Sequence, residues 1–328
     1  MNSFPEVRMR RLRRTAALRR LFDMTLPEPA KWVWPTFVVE GSGRREAIEA
    51  MPGQFRLSVD QLIRDLEPMA KTGIGGVLLF GQVDAEHKDA LGSAAADERL
   101  AVQRAVREIK QHYPEMVVMT DVCLCAYTSH GHCGPLGSDG DVDNDAALEQ
   151  LQRVALSHAA AGADVVAPSA MMDGQVAAIR SALDEAGFQR SLIMSYSTKF
   201  ASSMYGPFRD AEQSSPSSGD RRGYQASYGD LRQALRESDL DEAEGADMLM
   251  VKPALFYLDV LARLRERTDL PIAAYNVSGE YSMLIAAAER GWGDLRGMVR
   301  ESLTAISRAG SDILITYWAN RYHEIMDQ

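Results

Sequence analysis

All three cysteines of this 328-residue chain fall within eleven residues, in Asp121-Val-Cys-Leu-Cys-Ala-Tyr-Thr-Ser-His-Gly-His-Cys-Gly134. Cys123 and Cys125, one residue apart, share one side of an extended strand end, and the excursion through Gly131 is long enough to bring Cys133 back to them. Three thiolates suit a soft divalent ion, zinc first. Three protein ligands leave a fourth tetrahedral position open, the pattern of a catalytic rather than a structural site. The same spacing also suits buried apolar cysteines that never meet a metal. His130 and His132 are alternative ligands, or loop residues that hydrogen-bond their neighbours.

The lysines carry the second inference, because the chain uses arginine thirty times and lysine only six. Lys199 and Lys252 each end or follow an apolar, strand-like run. Only a primary amine condenses with a ketone to a Schiff base, and it must be neutral to attack. Desolvation and a second ammonium nearby both depress its pKa, so two such lysines on adjacent strands would activate each other. A salt-bridged rim lysine is the plainer alternative for either one alone.

Chemistry of this kind needs a frame, and eight apolar runs provide it: 33–39, 76–81, 117–124, 164–169, 191–196, 247–252, 272–277 and 312–317. Continuous apolarity suits parallel strands buried on both faces. Alternation with helix-patterned segments predicts a TIM (β/α)8 barrel, with a doubly wound sheet as the runner-up. Barrel enzymes work at the C-terminal strand ends, where Asp121, Ser169, Lys199, Lys252, Ser278 and Tyr317 are expected. Ser58 with Gln61 reads as a capping box for a helix over 59–72, and further helices are expected over 145–161, 174–186, 280–291 and 295–309.

The one long pattern-poor stretch, 205–229, reads as an active-site lid carrying Phe208, Arg209, Arg221, Arg222 and Gln225. Arginines there suit a bidentate clamp on a substrate carboxylate, and Ser278 with Tyr317 suits a second one. These residues together describe a metal-assisted Schiff-base enzyme for small keto acids, with room for two.

Composition restricts the rest. With 46% apolar and 25% charged residues, the chain is globular, and no apolar run is long enough to span a membrane. Neither a signal peptide nor a disulfide framework is evident, which predicts a cytoplasmic protein. A net charge of −10 disfavours nucleic acid as a partner. Arg8, Arg10, Arg11, Arg13, Arg14, Arg19 and Arg20 form a local exception, read as an arm over residues 1–30 that docks on a neighbouring subunit, ahead of a barrel domain over 31–328.

The chain also resembles the porphobilinogen synthase, or 5-aminolevulinate dehydratase, family of the zinc-binding type. The resemblance runs nearly end to end. It rests on the cysteine segment above, Ala167-Pro-Ser-Ala-Met-Met-Asp-Gly174, Met194-Ser-Tyr-Ser-Thr-Lys-Phe-Ala-Ser202, Tyr205-Gly-Pro-Phe-Arg-Asp210, Gly219-Asp-Arg221, Tyr224-Gln225, Met250-Val-Lys-Pro253 and Val277-Ser-Gly-Glu-Tyr281.

The resemblance implies condensation of two 5-aminolevulinate molecules to porphobilinogen with loss of two waters, toward haem and other tetrapyrroles. By motif, Lys252 would form a Schiff base with the first substrate and Lys199 with the second. Asp121 and Ser169 would order the first amino group. Ser278 and Tyr317 would hold the first carboxylate, and Arg209, Arg221 and Gln225 the second. Cys123, Cys125 and Cys133 would bind zinc, Glu237 an allosteric magnesium, and N-terminal arms would join a homo-octamer. Ala126, Asn276 and the run Ala226-Ser-Tyr-Gly229 depart from the usual family residues. A barrel-lysine aldolase would not need three thiolates, and a non-enzymatic metal or nucleic-acid binder would not need the two lysines or the lid.

Overall fold

The computed structural model describes residues 7–22 and 27–327. Eight parallel strands close on themselves: β1 (Trp32–Val39), β4 (Gly76–Gly81), β5 (Val117–Val122), β6 (Val165–Pro168), β7 (Leu192–Lys199), β8 (Met248–Lys252), β9 (Ile272–Asn276) and β10 (Ile313–Thr316). The ring is shut where β10 pairs with β1, Trp32 opposite Leu314 and Val33 opposite Ile315. Helices in the intervening segments pack outside, so β1 buries all eight of its residues, as a strand covered on both faces must. The barrel expected from the apolar runs is present, and the doubly wound alternative is excluded by the closure.

Two short strands were not foreseen. The strands β2 (Arg45–Ala47) and β3 (Phe55–Ser58) form an antiparallel pair, and β3 runs parallel to the upper part of β1, Phe37 to Val39 against Arg56 to Ser58. Since β4 holds the other edge of β1, β3 continues the edge that β10 leaves after Val33.

The floor of the barrel is closed by a repeated device. Asp164, Asp247 and Asp312 each stand just before a strand, and each carboxylate accepts the backbone N–H at the start of the preceding strand, from Val118, Ile193 and Ile272 at 2.8 to 2.9 Å. Each also pairs with a cation of the helix that leads into that preceding strand: Lys110, Arg180 and Arg265. These aspartates, expected as the first residues of the runs 164–169, 247–252 and 312–317, therefore lie outside the strands and work as floor clips.

Helix starts shifted for identifiable reasons. The helix Val59–Thr72 forms, but the capping box does not. Ser58 Oγ donates to Asp60 (2.6 Å) and accepts from the Arg44 N–H (2.9 Å), while Gln61 also turns to Asp60. Asp60 competes better because it collects donors from Ser58, the Gly43 backbone and Gln61, which hold its pKa down at about 2, Ser58 contributing most. Asp143 caps the helix Asn144–Ala161 one residue earlier than expected, accepting from Ala146. The helix Ser278–Glu289 starts two residues before Glu280, whose carboxylate accepts from the backbone of Val277 and Leu255.

The basic arm forms a short 3-10 turn (Met9–Arg13) and a helix (Ala16–Phe22) and buries none of its side chains. Residues 1–6 and 23–26 of the arm lie outside the described residues. Among the described residues no helix is long and apolar enough to cross a membrane.

Candidate active site

At the C-terminal end of the barrel, Lys199 closes β7 and Lys252 closes β8, and both are almost fully buried. Lys252 stands in a box of aromatic rings, its Nζ lying 4.3 Å from the centre of Tyr275, 4.9 Å from Phe208 and 5.0 Å from Tyr196. Burial first, and the neighbouring Lys199 ammonium second, push its pKa down to about 7. A large fraction of the amine is therefore neutral near neutral pH. Lys199 is held differently, its Nζ donating to the Ser169 carbonyl at 2.6 Å.

Asp121, the penultimate residue of β5, faces the same cleft. Burial, then the nearby Glu212 charge, raises its pKa to about 7, against the opposing Lys199 charge and a hydrogen bond from Ser169. Its Oδ1 has no partner within the fold. Just beyond β5 the three cysteines converge. All are buried and free of disulfides, and their sulfurs lie within 4.8 Å of one another. Hydrogen bonds among them gather negative charge on Cys133, whose pKa falls, and push that of Cys123 up. This is the only such cluster of three donors among the described residues.

The histidines take the loop role. His132 Nε2 meets the Ser218 carbonyl at 3.0 Å, so that nitrogen donates, leaving Nδ1 to accept from Tyr224 (3.2 Å). His130 Nε2 reaches the Ala90 carbonyl. Neither joins the sulfur cluster.

The segment 205–229 lies over these groups and is more regular than expected, since Pro207 opens a helix, Gly206–Glu212, in its first turn. Phe208 packs on Phe37 and Phe80, and its N–H donates to Ser278 Oγ at 3.1 Å. Arg221 is buried and donates to the carbonyls of Gly131 (2.9 Å) and Ser214. Gly131 has φ +75°, and a Cβ there would stand 2.6 Å from the Ser215 carbonyl oxygen, so only glycine permits this seating. The nitrogens Nε of Arg209 and Arg221 have no partner within the fold. Ala226 pairs with the backbone beside Lys199, its N–H donating to the Lys199 carbonyl, which depends little on the side chains of the altered run 226–229. Arg222, by contrast, is exposed and pairs with Asp220.

Beneath the segment 205–229 the cleft holds about 10 Å³, room for roughly one water. Asp121, Ser169, Lys199, Lys252, Arg209 and Arg221 line it, together with Phe208 and Cys125. Ser278, Tyr317 and Gln225 are buried but do not line it. Ser278 is occupied with the lid, Tyr317 shares a hydrogen bond with Tyr275 (3.1 Å), and both polar atoms of the Gln225 side chain are without partners. Asn276 is fully engaged, donating to Glu280 and accepting from Thr316. Glu237 lies elsewhere, half-buried beside a polar cavity of about 710 Å³ with Asp173 and Asp241.

Phe80, Tyr205 and Glu212 also line the cleft and were not among the site residues read from the sequence. The polar one is Glu212, the last residue of the helix Gly206–Glu212, 2% exposed and 3.4 Å from Cys125 Sγ. Its position three residues after Arg209, on a helix announced by Pro207, places both on one face and was the available signal.

The comparisons with known proteins agree with this geometry. A family model described as delta-aminolevulinic acid dehydratase matches residues 6–325. The chain is 54% identical to the delta-aminolevulinic acid dehydratase of Methanothermobacter thermautotrophicus over 318 residues, 96% of each chain. It is 54% identical to that of Escherichia coli over 312 residues, 95% of each. A solved structure of the Toxoplasma gondii enzyme, in complex with the reaction product porphobilinogen, superposes with a TM-score of 0.94 at 42% identity, covering 98% of this chain and 91% of that one. The chain belongs to the delta-aminolevulinic acid dehydratase (porphobilinogen synthase) family, the enzymes that condense 5-aminolevulinate to porphobilinogen.

Proposed function

We propose that this chain joins two molecules of 5-aminolevulinate into porphobilinogen, releasing two waters, with Lys252 and Lys199 as imine-forming amines. The observation that carries the reading is the pair of buried lysines on adjacent strand ends, opening on one cleft with Asp121 and the lid arginines.

The neutral Lys252 amine attacks the ketone carbon of the first substrate, which supplies the propionate side. A carbon–nitrogen double bond forms and the carbonyl oxygen leaves as water. Lys199 holds the second substrate in the same manner. Asp121 and Ser169 orient the first substrate's amino group and pass protons within hydrogen-bond reach. Ser278 and Tyr317 receive the first carboxylate, so that one hydroxyl both seats the lid through Phe208 and senses substrate. Arg209, Arg221 and Gln225, with donors unpaired in the fold, receive the second. A cleft of about 10 Å³ cannot admit a keto acid, so the lid opens for entry, and its return excludes water from the imines.

The donor set fits zinc: three buried, reduced sulfurs within 4.8 Å, with ionisation already favoured at Cys133. Held by Cys123, Cys125 and Cys133, zinc would supply Lewis acidity toward the second substrate. Glu237, with Asp173 and Asp241 around the same polar cavity, offers the hard oxygen donors that suit a hydrated, regulatory magnesium rather than a catalytic ion. The exposed basic arm would serve assembly into a homo-octamer.

The deciding experiment is incubation of the purified, zinc-loaded chain with 5-aminolevulinate, followed by a colour reaction for the pyrrole and metal analysis of the same sample. Pyrrole formation that disappears in Lys252→Arg is expected. A zinc-loaded, folded chain that makes no pyrrole sinks the reading.

A further inference from the structure

The strand β7 is irregular just before Lys199. Met194 stands opposite Met248 and Ser195 opposite Leu249, yet Thr198 stands opposite Val251 and Lys199 opposite Lys252, so β7 takes three steps where β8 takes two. One extra residue is accommodated in a bulge between Ser195 and Thr198. Side chains alternate along a strand, so an unbroken β7 would set Thr198 opposite Lys252 and turn Lys199 toward the outer helices. The bulge brings both amines to the cleft.

The side chains around the bulge show what holds it. Against β7 packs the helix Leu231–Ala243, whose buried residues are the small Ala234 and Ser238. Ser195 and Thr198, three residues apart, both reach this helix, which the alternation of a regular strand forbids. Ser195 Oγ donates to Asp241, while Thr198 Oγ1 donates to the Ala234 carbonyl at 3.1 Å and shares a hydrogen bond with Ser238 Oγ at 2.8 Å. Ser238 Oγ also lies 3.3 Å from Ser197 Oγ. Ser195, Ser197, Thr198 and Ser238 are all buried, and none of them lines the cleft.

Stability does not require hydroxyls here, because replacing both partners of a buried hydrogen bond by apolar groups of the same shape is nearly neutral. Direction is what they add. A threonine aimed at one helix carbonyl and one serine fixes which residue of β7 faces outward, and alternation then fixes the next residue, Lys199, inward.

We propose that Thr198 and Ser238 are positioning residues for Lys199, their hydroxyl contact pinning the bulge in β7 and so turning Lys199 into the cleft beside Lys252. The inference rests on the reading of Lys199 as an imine-forming amine.

The test uses the full-length, zinc-loaded protein and two variants. Thr198→Val keeps volume and β-branching but removes the hydroxyl, leaving Ser238 within reach of Ser197 and the Ala234 carbonyl, so no buried hydroxyl is stranded. Thr198→Ser keeps the hydroxyl and serves as the rescue. Each protein is treated with 5-aminolevulinate and borohydride, and the adducts on Lys199 and Lys252 are quantified separately by mass spectrometry. In Thr198→Val the Lys199 adduct is expected to fall by about tenfold or more relative to the Lys252 adduct, and in Thr198→Ser to recover. The pH midpoint of trapping on Lys252 is expected to rise in Thr198→Val, because the Lys199 charge that helps to hold that pKa down moves away. A merely structural role would lower both adducts together and leave the midpoint in place. An unchanged adduct ratio, an equal loss of both adducts or an unmoved midpoint overturns the assignment.

A wild-type enzyme that is trapped on Lys252 but never on Lys199 overturns the imine reading of Lys199 instead, and the Lys252 midpoint alone then decides whether the bulge is pinned by Thr198. Circular dichroism checks the fold of each variant. Should Thr198→Val fail to fold, Ser238→Ala, which removes the other half of the contact, is held to the same criteria.

Discussion

Lys199 and Lys252 are register partners across β7 and β8, so their side chains leave the sheet on the same face and Lys252 cannot ionise without meeting the Lys199 charge. Burial is the larger reason that Lys252 titrates near 7, and Lys199 the second. Because the pKa is lowered, the reactive neutral amine predominates above it. Borohydride trapping of 5-aminolevulinate on Lys252 should therefore rise with pH, with a midpoint near 7. In Lys199→Met the midpoint should move up by about one pH unit, without reaching the ordinary lysine range, since burial remains. An unmoved midpoint means that the two amines are not electrostatically coupled.

The barrel was legible because parallel strands covered on both faces must be written as unbroken apolar runs, and β1 is the plainest case. The pair β2 and β3 was not, since β2 has three residues left largely exposed and β3 only four, two of them buried, too few to leave such a run. At the strand starts, Asp164, Asp247 and Asp312 read as strand residues, yet their roles as floor clips depend on backbone groups forty or more positions away. The cysteines and both lysines declared themselves by type and spacing. Glu212 did not, because a glutamate in a lid reads as surface until burial shows otherwise. His130 and His132 were ambiguous for a related reason: the carbonyls of Ala90 and Ser218 that claim their rings are set by the loop path, not by residue type.

Seating of the lid on Gly131 should control affinity for substrate. Arg221 donates to the carbonyls of both Gly131 and Ser214 through the single nitrogen Nη2, while Nε remains unpaired. A lysine offers a point charge and no fork, so Arg221→Lys should raise KM by about tenfold or more. Gly131→Ala should do the same without altering any side chain that faces the cleft, because its Cβ displaces the Ser215 backbone. Steady-state kinetics decide the matter, and wild-type KM in both variants would show that Arg221 does not hold the substrate.

The arm offers a test of assembly. Its arginines lie on a 3-10 turn and a helix that bury nothing in this chain, while the whole protein carries a net charge of −10. Opposite charge on a neighbouring copy is the partner these features suit. Deleting residues 1–20 should leave the barrel folded by circular dichroism and shrink the particle seen by sedimentation. A truncated protein of unchanged size and activity removes the arm from assembly.

Metal removal should separate the two halves of the site. Imine formation at Lys252 needs only a neutral amine and a ketone, and burial first, with Lys199 second, depresses its pKa. Joining the second substrate draws in addition on the charge that zinc would contribute beside Cys125, which lines the same cleft. Chelated enzyme should thus make no porphobilinogen, yet borohydride should still fix 5-aminolevulinate on Lys252, as read by mass spectrometry of the modified peptide. Lys252→Arg should abolish that adduct, since guanidinium keeps the charge but forms no imine. Product at the full rate after chelation would make the three cysteines spectators. Loss of trapping along with the metal would mean that zinc serves the first substrate too, and that the division of labour between Lys252 and the sulfur cluster is wrong.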